Sequence, residues 1–279
     1  MALEHVNTIL KEAEAGRYGV MCFECVNYEQ IRWCIEAAEE EQSDVILMLY
    51  YDMTFYISAA EFIAIAKRMA ESASVRVGLS YVYADTLELV HQALEAGFPS
   101  VCFHPGEETQ EERIACTRQA AMLAHEYGAD IAAVPGEYGQ LTAAQAADFA
   151  AQTGIDALVA PVVYGHENNN TNFTPVRHWY DTNVDLVDEA MLRELRSLTQ
   201  LPLILHRANN LSVEEKHKAI RLGTSKFDNG CPLDTQLYRA ARRIMESTDC
   251  GESFFAFLME LRQPSVKYIA GCIRELKTK

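Results

Sequence analysis

Polar side chains stand at the ends of short apolar runs in this sequence, where they could act together on a ligand. Histidines end or follow three of these runs, as His104, His166 and His206, and Glu24 ends the first run. Neutral imidazoles and carboxylates are good ligands for zinc and similar cations, and catalytic zinc sites typically use three protein ligands and keep one position open. We therefore predict a divalent-metal site, with zinc as the expected metal, formed by the three histidines and Glu24 as a candidate fourth ligand.

Three further residues in comparable positions could move protons. Tyr83 follows the third apolar run, Glu137 lies in the turn after the fifth, and Asp228 ends the eighth. A tyrosine hydroxyl or a desolvated carboxylate can serve as a general acid or base. These three residues are the candidate catalytic residues. For Tyr83 a second interpretation is an aromatic ring that only fills space.

Residues suited to binding an oxygen-rich substrate occur among the same segments. Arg207 directly follows His206 and can bind a phosphate or carboxylate with two parallel hydrogen bonds. Asn209 and Asn229 each offer donors and an acceptor, which suits a polyhydroxylated ligand, and Tyr50 ends the second run. We predict that these four residues bind a small carbohydrate-type substrate, although Arg207 could equally form a structural salt bridge.

The apolar runs themselves predict the elements that position these residues. Each run is dense in Val, Ile, Leu or Ala and most are followed by a helical pattern, as expected for strands of a parallel sheet that are buried on both faces. The eight predicted strands span 19–24, 44–50, 75–82, 100–104, 130–134, 157–164, 202–206 and 225–228. Eight βα units predict an α/β fold, a closed (β/α)8 TIM barrel, with extra terminal helices over 237–245 and 254–276. The carboxyl ends of barrel strands meet at one rim, so the candidate residues are expected to converge there.

Composition narrows the classes of partner. The chain has 279 residues, 49% of them hydrophobic, and 24 Lys and Arg against 40 Asp and Glu, for a net charge of −16. So acidic a protein is expected to bind neither nucleic acid nor anionic membranes. No apolar run is long enough to cross a bilayer, and no secretory signal is recognisable. With eight cysteines interpreted as reduced thiols, we expect a cytoplasmic protein with a single domain over 1–279.

Several segments of the chain, in the right order, resemble one known family. They are Val20-Met-Cys-Phe-Glu-Cys-Val-Asn27, Ala96-Gly-Phe-Pro-Ser-Val101, Thr153-Gly-Ile-Asp-Ala-Leu158, Leu201-Pro-Leu-Ile-Leu-His206 and Asp234-Thr-Gln236. They resemble the class II fructose-bisphosphate aldolases and the related tagatose-bisphosphate aldolases. The resemblance implies a (β/α)8 lyase in which a divalent metal, usually zinc, stabilises the enediolate of a ketose phosphate. It also implies a homo-oligomer, a dimer or tetramer.

The motifs of that family are altered in this chain. Where the family has an Asp-His pair after the third strand, this chain has Val82 and Tyr83, and where it has a Glu on the fifth strand, this chain has Val134. The family's phosphate-binding Gly-Gly-Ser is replaced by Arg207-Ala-Asn209, which argues against a bisphosphate substrate. Where the family has a lysine just after the histidine of the sixth strand, this chain has residues of the asparagine tract 168–170.

Other changes add chemistry at the same rim. Only His166 and His206 match the metal ligands of the family, whereas Glu24 stands in place of an Asn and His104 in place of an Asp. Loss of function alone would not predict new ligands at the barrel mouth. We therefore predict an aldolase-like lyase that acts on a sugar-derived ketose or ketose phosphate and has a relocated metal site. The alternatives are a metal-free isomerase or epimerase and a non-catalytic metabolite-binding paralogue.

Overall fold

A computed structural model describes residues 2–106, 109–164, 185–247 and 253–278. Within these ranges the strands are β1 (Val20–Glu24), β2 (Val45–Tyr50), β3 (Val77–Ala84), β4 (Ser100–Phe103), β5 (Asp130–Ala133), β6 (Ala157–Val159), β7 (Val163–Tyr164), β8 (Leu186–Val187), β9 (Leu203–Leu205) and β10 (Thr224–Asn229). The helices are α1 (Val6–Gly16), α2 (Tyr28–Glu41), α3 (Ala59–Ser72), α4 (Leu87–Ala96), α5 (Gln110–Glu126), α6 (Ala143–Thr153), α7 (Glu189–Leu198), α8 (Val213–Arg221), α9 (Cys231–Ser247) and α10 (Phe254–Arg274).

Eight of the strands close into a parallel barrel. Its order is β1, β2, β3, β4, β5, β6, β9 and β10, and β10 pairs with β1 to complete the circle. This arrangement confirms the predicted (β/α)8 fold and the two helices that follow the last strand. Because all eight strands run in the same direction, their carboxyl ends form one rim, where the candidate site residues lie.

One predicted strand is wrong in extent. The sequence predicts a continuous strand over 157–164, but the barrel strand β6 ends at Val159, and Val163–Tyr164 forms β7. β7 pairs antiparallel with β8 in a separate two-stranded sheet. Apolar residues continue through Ala160, Pro161 and Val162, so the hydrophobic pattern alone carries no signal for the break.

The first helix, α1, packs against the barrel interior. Val6, Ile9 and Leu10 are buried in one cluster with inward-facing side chains of the barrel, among them Ile46. Gly78 on β3 allows this approach, because a Cβ atom there would lie only 3.0 Å from Val6 and 3.2 Å from Ile46.

Hydrophobic packing on the outer face of the barrel fixes the surrounding helices. Val, Leu, Phe and Ala side chains that point outward from the strands are buried in a second, larger cluster with the apolar faces of the helices. α2 begins after Asn27, whose side chain accepts a hydrogen bond from the backbone N–H of Gln30. No helix in the described ranges is long and apolar enough to cross a membrane.

Candidate active site

The end of β3 turns Tyr83 into the barrel. Its backbone has φ of 62°, in the left-handed region, and the pairing with β4 shifts register between Val82 and Ala84. An extra residue in a strand of this kind changes the direction of a side chain. Val82 and Tyr83 consequently both belong to the interior cluster, although consecutive strand residues normally face opposite sides. A non-glycine residue held at positive φ costs free energy, so the surrounding structure must stabilise Tyr83 in this conformation.

Four of the predicted site residues surround the Tyr83 ring. Tyr50 stacks on it with ring centroids 5.0 Å apart, and the centroids of His206 and His104 lie 4.4 and 5.8 Å from that of Tyr83. The Tyr83 hydroxyl donates to Oδ2 of Asp228 over 3.4 Å, which is a long hydrogen bond. Burial, followed by the nearby Asp228 carboxylate, raises the pKa of Tyr83 well above its usual value, so the hydroxyl keeps its proton.

Asp228 is part of a buried ion pair. Lys226 and Asp228 are 2% and 4% exposed at their side chains, and Lys226 Nζ donates to Asp228 Oδ1 over 2.6 Å. Their partners on β1 are Val20 and Cys22, which belong to the interior cluster, and this pairing shows that Lys226 and Asp228 also face inward. Burial opposes the charge on Asp228, but the ammonium of Lys226 outweighs it and lowers the pKa of Asp228. The aspartate is therefore a carboxylate, and its Oδ2 lies 3.8 Å from Nδ1 of His206.

His104 and Glu137 form a second, more exposed pair at the rim. Nε2 of His104 lies 4.0 Å from Oε1 of Glu137, and the two side chains are 38% and 44% exposed. Burial of the imidazole lowers the pKa of His104, which the Glu137 carboxylate opposes. His104 is therefore neutral near pH 7, and a ring nitrogen keeps a free lone pair.

Glu24 lies in a different part of the rim. It pairs with Met48, an inward-facing residue, and its carboxyl group occupies the space that a side chain at Gly230 would fill. Burial, together with the negative charges of Asp52 and Asp234, raises the pKa of Glu24 to about 7. Glu24 is thus partly protonated at neutral pH.

The predicted binding residues are distributed unevenly. Arg207 is exposed, has φ of 59°, and forms no hydrogen bond or ion pair with any residue the structure describes. Asn209 belongs to the 3₁₀ turn Ala208–Asn210 that follows β9. Asn229 pairs with Phe23, which faces the helices, and its amide donates to Cys272 of α10 over 3.7 Å. This amide packs between β10 and α10, so the prediction that Asn229 binds substrate finds no support in the geometry.

The described side chains do not complete a metal site by themselves. His166, which the sequence predicts as a ligand, lies outside the described residues. Among residues 2–106, 109–164, 185–247 and 253–278, no three His, Cys, Asp or Glu side chains form a group that could hold a metal ion. His104 and His206 both contact the Tyr83 ring, whereas Glu24 has acidic neighbours, so these three do not converge. Without His166, the donor set of the described residues is incomplete for a bound cation.

Sequence analysis missed Lys226, Asp52 and Asp234. A signal for Lys226 was present, because a lysine two residues before Asp228 in a strand must point to the same face. Asp52 and Asp234 are far from Glu24 in the sequence, and only the closure of the barrel brings the three carboxyl groups together.

Comparison with known proteins identifies the family. The family model described as "Fructose-bisphosphate aldolase class-II" matches residues 4–279. This protein belongs to the class II fructose-bisphosphate aldolase family. The sequence-based assignment to this family is confirmed, and with it the class of enzyme, a class II aldolase-like lyase.

Individual members of the family are distant from this chain. It is 26% identical over 260 residues to the fructose-bisphosphate aldolase of Geobacillus stearothermophilus, with 88% of this chain and 86% of the relative covered. It is 28% identical over 244 residues to the 6-phospho-5-dehydro-2-deoxy-D-gluconate aldolase of Bacillus licheniformis, covering 82% and 79% of the two chains. The crystal structure of the YdjI aldolase of Escherichia coli K12 superimposes with a TM-score of 0.84 over 98% of this chain and 97% of the other, at 23% identity. This last likeness supports the fold alone.

The raised pKa of Glu24 predicts a pH-dependent effect of Glu24→Gln on the free energy of unfolding of chelator-treated protein. Between the ordinary pKa of 4.5 and about 7, the folded protein binds a proton that the unfolded chain has lost. Wild-type stability therefore falls as pH rises through this window, by about 2 kcal/mol between roughly pH 5.5 and 8. Urea unfolding should show that the free energy of unfolding of Glu24→Gln rises by that amount relative to wild type across the same pH interval.

Glu71→Gln, which changes an exposed glutamate on α3, serves as the matched control and should follow the wild-type pH profile. Parallel pH profiles for wild type and Glu24→Gln would contradict the burial of an uncompensated carboxyl group at this position.

Proposed function

We propose that this protein is a lyase that cleaves or forms the carbon–carbon bond beside the carbonyl of a sugar-derived ketose or ketose phosphate. Family membership supports the class of reaction, and the names of the two relatives given above refer to phosphorylated, sugar-derived compounds. The observation that carries the proposal is the inward-turned Tyr83, whose protonated hydroxyl lies among His206, His104 and Asp228 at the rim of the barrel.

The reaction requires a base for a hydroxyl proton and a donor for an enediolate oxygen. In the cleavage direction, Glu137 takes the proton of the substrate hydroxyl because its carboxylate is exposed at the rim beside His104. The carbon–carbon bond breaks, the aldehyde leaves, and the bonding electrons reach the carbonyl oxygen. Tyr83 then donates a hydrogen bond to that oxygen. Its hydrogen bond to Asp228 is long, so the hydroxyl can turn towards a nearby oxyanion. The proton held by Glu137 then returns to the enediolate carbon, which regenerates the carbonyl group of the second product.

Substrate binding is assigned to residues on the same rim. Arg207, whose guanidinium has no partner among the described residues, is available for one phosphate or carboxylate group, and the ring of Tyr50 borders Tyr83. Asn209 is retained as a candidate because it belongs to the turn that directly follows Arg207. With Arg207-Ala-Asn209 in place of a glycine-rich phosphate loop, we infer a substrate with at most one phosphate group near this turn.

The predicted divalent metal stays a prediction of the sequence. It requires His166 together with His104, His206 and Glu24, and the described residues alone do not assemble such a site. We assign no step of the reaction to it. The cytoplasmic location and the homo-oligomer likewise stay predictions.

Turnover of ketoses tests the proposed reaction. Purified protein, as isolated and after incubation with zinc, manganese or cobalt, is assayed for aldehyde release from fructose 1,6-bisphosphate, ketose monophosphates and unphosphorylated ketoses. We expect cleavage of a monophosphate or an unphosphorylated ketose, and Tyr83→Phe should lower kcat about 100-fold, because the developing oxyanion loses its donor.

Tyr81→Phe is the matched control. Tyr81 lies on the same strand and is as buried as Tyr83, but it packs against Phe98 on the outer face of the barrel. This variant should keep kcat within about threefold of wild type. Thermal stabilisation by ketoses without any turnover would reject the lyase and favour a metabolite-binding protein.

The role of Arg207 predicts a selective effect on phosphorylated substrates. Removing a charge-assisted hydrogen bond costs about 1.5–3 kcal/mol, so Arg207→Met should lower kcat/KM for a ketose phosphate by about 10- to 100-fold. The value for an unphosphorylated ketose should stay within about threefold. Arg221→Met changes an exposed arginine at the end of α8, where β10 begins, and should affect neither substrate. Equal losses on both substrates for Arg207→Met would exclude anion binding as its role.

Metal content tests the predicted histidine site. After saturation with zinc and removal of free ion, we expect about one zinc per chain by elemental analysis, and His206→Ala should lose most of it. His217→Ala is the matched control, because the ring of His217 bonds the backbone oxygen of Glu275 over 2.8 Å. Less than about one-tenth zinc, manganese or cobalt per wild-type chain would reject the metal site.

A further inference from the structure

Lys226 is a lysine enclosed in the barrel that neither the family resemblance nor the proposed reaction uses. Its side chain is 2% exposed, and it lines a small cavity of about 10 Å³ together with Ser80 and Ser100. The inward-facing residues around it include Cys22 and Cys102. Moving an unpaired ammonium group into such surroundings is very costly, so a lysine placed there needs a partner.

Asp228 supplies that partner and determines the charge of both groups. Burial works against the ammonium, but the carboxylate of Asp228, only 2.6 Å away, holds the pKa of Lys226 above its ordinary value. The pair is therefore an ammonium and a carboxylate. Replacing a buried ion pair by apolar residues is often neutral or stabilising, so the pair gives no clear advantage to folding.

The two oxygens of Asp228 have different neighbours. Oδ1 accepts from Lys226, whereas Oδ2 faces the Tyr83 hydroxyl at 3.4 Å and Nδ1 of His206 at 3.8 Å. The lysine thus holds one oxygen from the barrel interior and leaves the other directed to the candidate active site. A carboxylate that shares its charge with an ammonium is also a weaker acceptor for the tyrosine hydroxyl.

We propose that Lys226 is a positioning residue: its ammonium holds Asp228 so that Oδ2 faces Tyr83 and His206, and leaves the Tyr83 hydroxyl free to turn to the substrate. This inference rests on the proposed lyase function. Without Lys226, Oδ1 of Asp228 is no longer held, so the carboxyl group can turn and close on the Tyr83 hydroxyl, and the developing enediolate loses its donor.

The test compares two buried lysines. Lys226→Met should lower kcat about 100-fold and leave KM within about threefold, because substrate binding does not involve Asp228. Lys216→Met removes a lysine of α8 that is 8% exposed at its side chain and pairs with Glu275 over 2.6 Å, away from the rim. It is expected to lower the melting temperature as well, but to keep kcat within about threefold. Equal kcat values for the two variants would overturn the proposal.

A double variant keeps the test decisive if Lys226→Met does not fold. Lys226→Met with Asp228→Asn removes both charges and should melt at a higher temperature than Lys226→Met alone. If the lysine acts only through the aspartate, the kcat of the double variant should equal that of Asp228→Asn within about threefold. A kcat restored to the wild-type value, or one well below that of Asp228→Asn, would contradict the positioning role.

Crystal structures separate this inference from the proposed reaction. The distance from Tyr83 Oη to Asp228 Oδ2 is 3.4 Å in the wild-type chain and should shorten to about 2.7 Å in a crystal structure of Lys226→Met. An unchanged distance and carboxylate orientation would overturn the positioning role even if the protein cleaves a ketose. If wild type cleaves no ketose, the proposed reaction fails, and the shortened hydrogen bond still supports the positioning.

Discussion

The ion pair between Lys226 and Asp228 is the interaction on which the candidate active site depends. Both charges lie inside a barrel whose other inward-facing residues are largely apolar, so each group requires the other. Since Lys226 occupies only Oδ1, the pairing leaves Oδ2 directed to Tyr83 and His206. The requirement to compensate a buried charge therefore also determines the orientation of a group at the barrel mouth.

The second constraint is the backbone at Tyr83. Its left-handed conformation and the shifted pairing with β4 place two consecutive side chains inside the barrel. The ring then packs against Tyr50, His104 and His206, and the hydroxyl reaches Asp228. Tyr83 thus does more than fill space, because its polar end has a defined partner. Burial keeps the proton on the Tyr83 hydroxyl.

These two features explain how a member of the class II fructose-bisphosphate aldolase family keeps the fold while its site differs. The barrel depends on outward-facing apolar residues that pack against helices. The rim depends on a few polar residues, and Tyr83, Arg207, His104 and Glu24 are among those at which the sequence resemblance predicts a departure from the family pattern. Substitution at the rim leaves the packing of the barrel intact, so the chemistry can diverge further than the architecture.

The sequence alone determined the architecture and most members of the site. Continuous apolar runs predicted the eight barrel strands and helical patterns the terminal helices, and the strand ends identified Tyr83, His104, His206 and Asp228 as rim residues. The break after β6 was missed because the apolar run continues through it, although Pro161 within the run argues against one continuous strand. Contacts within one strand or helix are local, and the hydrophobic pattern therefore encodes them.

Tertiary structure decided how the rim residues are paired. The register of the closed barrel and the left-handed residue Tyr83 determine which groups contact Asp228. The same register places Glu24 near Asp52 and Asp234. It also directed the amide of Asn229 towards Cys272 of α10. Distances between side chains from different strands follow from barrel closure, and no pattern within a single strand contains that information. The sequence therefore identified the polar groups of the rim, but only the tertiary structure determined which of them are in contact.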